Sequence, residues 1–136
     1  MTMSIVSVRA DWIEEQVFLL RDHSDFPVVM TQPQGVSGAD LLPMSLIGCV
    51  SWDIISILRK QRQPVARLTV FADCQQAEEP PWRFTQIHIR YRFTGHELEA
   101  ARVEHAVDLS EQKYCAVYAT LRLAVELTRS IEIVDE

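Results

Sequence analysis

From Ile5 to Trp12 the residues Val6, Val8, Ala10 and Trp12 alternate with Ile5, Ser7, Arg9 and Asp11, the period of two expected of a half-buried strand. Gln16 to Arg21 and Pro27 to Thr31 read as two further strands. The breaks between them, Glu14-Glu15 and Asp22-His23-Ser24-Asp25, are polar and of hairpin length, so the N-terminus is predicted to be a small antiparallel meander. A loop over 31–38 then leads into a helix-start signal. Ser37 with Asp40 three residues later forms a capping box, and Val36 and Leu41 are placed as a hydrophobic staple. The long helix that follows ends at Arg59-Lys60-Gln61-Arg62-Gln63-Pro64, where cations suit the negative end of the dipole and Pro64 stops the run. Its apolar residues, from Leu41 through Leu46, Val50 and Ile54 to Leu58, cover nearly the whole circumference, so it is expected to be enclosed rather than to lie on a surface. Pro43 removes an amide in the first turns and is expected to kink or loosen them.

Leu68, Val70, Ala72 and Cys74 alternate with polar and aromatic neighbours in one predicted strand, and Ile87, Ile89, Tyr91 and Phe93 do so in the next. These two should pair across the Glu78-Glu79-Pro80-Pro81 loop. A helical stretch from Gly95 through Val107 follows, then a second start signal in which Ser110 caps a helix and Leu109 can pack on Tyr114, with Cys115 just inside. Leu123, Val125, Leu127, Ile131 and Ile133 alternate with Glu126, Thr128, Ser130 and Glu132 in a closing strand. The predicted order is β-β-β-α-β-β-α-α-β, an α+β fold in a single domain over residues 1–136 without internal repeats.

At 136 residues the chain is long enough to bury about two-thirds of its unfolded surface without a disulfide or metal. Apolar residues make up 48% and charged residues 24%, which sets aside disorder. A net charge of −6, with no basic stripe interleaved with aromatics, repels phosphate backbones, so no nucleic-acid partner is expected. Neither a basic leader followed by an apolar run nor about 18 uninterrupted apolar residues is present, so no membrane partner is expected and the protein is placed in the cytoplasm.

In such a reducing compartment Cys49, Cys74 and Cys115 would be thiols at rest. Cys49 follows Gly48 in the most apolar helix; taken alone, packing is its commoner role. Cys115 lies near a predicted helix start and two residues after Lys113, both of which lower a thiol pKa, so packing and reactivity are closer to even there. Cys74, at the end of a strand, reads as structural. Asp53 lies one helical turn after Cys49, and a carboxylate so near disfavours a thiolate unless a cation intervenes; Arg9 or Arg21 could supply it. His23, His88, His96 and His105 show no metal-ligand spacing, and neither a phosphate loop nor a Ser/His/Asp set is recognisable, so no cofactor or metal is expected.

The stretch from Gly38 to Lys60, with Gly48-Cys49-Val50-Ser51-Trp52-Asp53 at its centre, resembles the central-helix motif of the OsmC/Ohr family, the osmotically inducible and organic hydroperoxide resistance proteins. Leu109-Ser110-Glu111-Gln112-Lys113-Tyr114-Cys115 resembles the family's second motif, a Ser-x-x-x-Tyr-Cys run. The Cys-x-x-x-Asp form is similar to the OsmC-like branch. The resemblance implies an intertwined homodimer whose partner subunit buries the central helix. It also implies a thiol peroxidase for oxidative-stress defence: Cys49 attacks the peroxide and becomes a sulfenic acid, Cys115 condenses with it to a disulfide, and a dithiol reductant resets the pair. Apolar walls would favour organic hydroperoxides as substrate. The family's Glu near the start of that helix is replaced here by Ala39, with Asp40 beside it, and its activating arginine corresponds to Arg9 or Arg21. The alternative is a non-catalytic dimeric member that binds a small apolar ligand at the interface.

Overall fold

The computed structural model describes residues 3–31 and 35–136, and the chain divides into two compact units, Met1–Leu42 and Pro43–Glu136. In the first unit, β1 (Arg9–Glu14), β2 (Val17–Arg21) and β3 (Pro27–Thr31) form an antiparallel sheet in that order. Arg9 pairs with Arg21 at one end, and β2 with β3 runs from Val17 opposite Thr31 to Arg21 opposite Pro27. The meander is as expected, but β1 begins at Arg9 rather than Ile5: the ladder with β2 starts at Arg9 opposite Arg21, and among the described residues 3–8 are in no strand despite their alternation. Part of the loop ahead of the helix, 32–34, lies outside the described residues.

Helix α1 (Gly38–Lys60) starts where the capping signal places it: the Asp40 amide donates to Ser37 Oγ at 3.2 Å. It runs through Pro43 without a break in its helical assignment; at the sixth residue the proline deprives only an early carbonyl of its partner. In the second unit, β4 (Val65–Gln76) and β5 (Phe84–Gly95) form a long antiparallel ribbon, and β6 (Glu126–Asp135) lies parallel to β5 on its other side. A parallel neighbour requires a crossover. It consists of α2 (Ala100–Leu109), a π-helical turn (Ser110–Tyr114) and α3 (Ala116–Leu121).

Inward residues of β5, Ile87, Ile89, Tyr91 and Phe93, meet Leu46, Val50, Ile54 and Leu58 of α1 and Val103, Ala106 and Val107 of α2 in one core. Each large apolar side chain removed from water there contributes roughly 1.5–3 kcal/mol. The four α1 residues are spaced by four and make a single stripe, so within one chain the helix is not enclosed: Trp52 is 78% exposed. One sheet can cover only one face of a helix that is apolar all round. Mean hydropathy over eighteen residues of α1 reaches 1.8, so by length and composition alone it could cross a membrane, which a count of uninterrupted apolar residues does not register. Four of its residues, Leu46, Val50, Ile54 and Leu58, are fully buried in the core.

Candidate active site

Cys49 precedes Val50 on the flank of α1, half-buried between the core stripe and the open face. Cys115 is 2% exposed and occupies the hinge between the π-helical turn and α3. The fold brings these two thiols, from elements that lie far apart in sequence, close enough for Cys49 to bear on the ionisation of Cys115. Both cysteines are free thiols.

The local structure around Cys115 differs from the expectation in two respects. Ser110 does not start a helix: it is the C-cap of α2 and leads directly into the π-helical turn, and Cys115 itself is the N-cap of α3, with extended backbone (φ −82°, ψ 109°). Its Sγ accepts from the Tyr118 amide at 3.3 Å, and its own amide donates to the Ser110 carbonyl at 2.8 Å. Nor is the thiol acidified. Burial pushes it up to about 11, helped by the neighbouring Cys49 thiol, while the amides of Tyr118 and Val117 pull the other way and lose. Lys113, expected to acidify it, instead lies over the Tyr114 ring at 5.6 Å.

A buried polar network adjoins this hinge. Glu111, only 3% exposed, accepts from Tyr91 Oη at 2.7 Å and from Arg129 at 2.9 Å; Arg129 also donates to Asp108 at 2.6 Å. Burial beside the Glu111 carboxylate drives the Tyr91 phenol far above its usual range; burial works against the charge on Arg129, but the Asp108 and Glu111 carboxylates outweigh it and hold the guanidinium more firmly protonated. One residue earlier, the buried Ser110 hydroxyl donates to the Val50 carbonyl at 2.8 Å, the peptide next to Cys49. Sequence reasoning misses this network, although one signal was available. In the closing strand the inward set Leu127, Ile131 and Ile133 skips a position, and the residue filling it is Arg129; an arginine on the inward side of a strand calls for a buried acid.

The expected supporting residues are placed otherwise. In the first unit Arg9 is paired with Asp11 at 2.8 Å, and Arg21 donates to the Asp25 carbonyl at 2.8 Å. Asp40 stands exposed in the first turn of α1. Asp53 lines a cleft of about 390 Å³ with Ile57, Lys60, Gln61, Leu109 and Tyr114. On the open face of α1 a second cleft, also about 390 Å³, is lined by Gly48, Ser51, Trp52, Ile55 and Arg59. Space beside Gly48 is indeed free, since a Cβ there would meet nothing within 4 Å. Chemically, two neighbouring thiols, one of them held protonated, can pass between dithiol and disulfide when an oxidant or a reductant is supplied.

This fold and these motifs define a known class: the family of OsmC-like proteins matches residues 31–130, and the chain belongs to it. Protein YhfA of Escherichia coli K12 is 36% identical over 132 residues, covering 95% of this chain and 98% of that protein. A hypothetical protein from Aquifex aeolicus has the same architecture at 28% identity, with a TM-score of 0.88 over 98% of this chain and 99% of that one. The organic hydroperoxide resistance protein OhrB of Bacillus subtilis, at 11% identity, shares the fold with a TM-score of 0.62 over 95% of this chain and 98% of its own.

Proposed function

We propose that the protein is a cytoplasmic thiol-dependent peroxidase that reduces organic hydroperoxides as a homodimer. The placement of Cys49 and Cys115 as neighbouring free thiols carries this reading. With Cys115 kept as S–H, Cys49 is the nucleophile. Its sulfur attacks the peroxide O–O bond, releasing the alcohol and leaving a sulfenic acid; Cys115 then displaces water to close the disulfide, and a dithiol reductant returns both thiols. The hydroperoxide-resistance neighbour of the same fold supports the substrate class. Arg9 or Arg21 from the N-terminal strands is proposed as the activating cation, with Asp40 and Asp53 as supporting acids. The dimer is proposed to cover the open face of α1, where Trp52 stands free.

Mass spectrometry after stoichiometric cumene hydroperoxide tests it. The wild-type protein should lose a pair of hydrogens and yield a peptide cross-linked between Cys49 and Cys115. Cys115→Ser should stop at an added oxygen on Cys49, Cys49→Ser should not react, and Cys74→Ser should behave as wild type. Unreacted thiols in the wild-type protein would overturn the reading. They would favour the second one, binding of a small apolar ligand, for which the Trp52-lined cleft on α1 speaks.

A further inference from the structure

We infer that Glu111 and Ser110 are positioning residues that set the reach of the Cys115 sulfur to Cys49, by tying the π-helical turn to the sheet and to α1. The turn is of a rare type, closed at its end by an i→i+5 bond from Cys115 N–H to the Ser110 carbonyl. Two buried external ties fix its placement. Ser110 Oγ bonds the Val50 carbonyl at 2.8 Å, one peptide from Cys49, and so fixes the start of the turn on the helix that carries the first thiol. Glu111 engages both carboxylate oxygens, with Tyr91 of β5 and Arg129 of β6, and so fixes the turn on the sheet. A connector with no such duty would bury an apolar residue at this point, since a buried acid costs several kcal/mol in desolvation before its partners offset it. What the acid adds is direction: the phenol and the guanidinium allow the turn one placement.

The two ties therefore govern how strongly the thiols favour joining each other over joining an external thiol. The inference takes the Cys49–Cys115 bond from the proposed peroxidase cycle, but does not depend on peroxide as oxidant. In glutathione buffers the balanced exchange is protein dithiol plus oxidised glutathione giving protein disulfide plus two reduced glutathiones, and its constant measures the effective concentration of one thiol at the other.

The test is that constant, measured by acid quench, alkylation and mass spectrometry across a series of glutathione ratios. Glu111→Gln keeps the shape and a partner for Tyr91 but sets an amide donor against the Arg129 donors. It should lower the constant at least tenfold, a potential about 30 mV less reducing. Ser110→Ala should shift it the same way, while Glu111→Asp should recover part of the loss. A Glu111→Gln protein with wild-type circular dichroism and an unchanged constant overturns the inference; if that variant does not fold, an unchanged constant in Ser110→Ala does so. Failure of the wild-type protein to form the bond at any ratio overturns it as well. A normal bond in glutathione with no reaction toward cumene hydroperoxide would leave it standing and remove only the peroxidase reading.

Discussion

Cys115 shows how two local influences on one thiol are decided by magnitude. It caps a helix and accepts an amide hydrogen bond, both of which favour a thiolate, yet burial at 2% exposure outweighs them and its pKa rises to about 11. The folded protein thus holds a proton that the unfolded chain releases near pH 9, and linkage then fixes the sign. Stability from this group is fully present below about pH 9 and is lost as pH climbs through about 11; the Tyr91 phenol, also pushed up, adds to the loss at still higher pH. Urea midpoints of the reduced protein measured over that alkaline range should fall steadily, and Cys115→Ala should flatten the first part of the fall. An equal slope in both proteins would assign the proton elsewhere.

At the scale of elements, pairing decides what alternation alone leaves open. Gly95 ends β5 opposite Val65, and a Cβ there would collide with the Pro64 carbonyl and crowd Leu98 at 3.0 Å. Gly95→Ala should therefore cost roughly 1–3 kcal/mol, read as a lowered thermal midpoint. All six strands, α1 and the order of elements were legible in the sequence, because burial against one face imposes a period that survives in the residue pattern. The π-helical turn was not. Ser110 followed by polar residues carries the same letters as an ordinary N-cap, and only the ties to Val50, Tyr91 and Arg129, which come from elements distant in sequence, turn it into something else. The cysteine pair was legible by resemblance to two motifs. The network beside it was not, since its members are spread over β5, the crossover and β6.

Across the whole molecule the unfinished feature is the open face of α1. Trp52 at 78% exposed and Met44 at 46% make an apolar surface that the chain itself does not cover. Trp52→Asp should leave the fold of the single chain within about 0.5 kcal/mol while converting the proposed dimer to monomer in sedimentation. A dimer that survives this change would place the contact elsewhere. The crossover has a separate consequence. Because Cys115 sits on the segment that leads from β5 to β6, and Cys49 on α1, joining them would close a loop of roughly 65 residues around most of the second unit. Such a staple restricts the unfolded chain by about 4 kcal/mol, enough to raise the melting temperature by roughly 10–15 °C, which calorimetry of oxidised and reduced samples would detect. The same sulfur chemistry that would turn over an oxidant would then leave its mark as heat resistance, so that the melting curve of a freshly isolated sample reports whether its last encounter was with an oxidant or with a reductant.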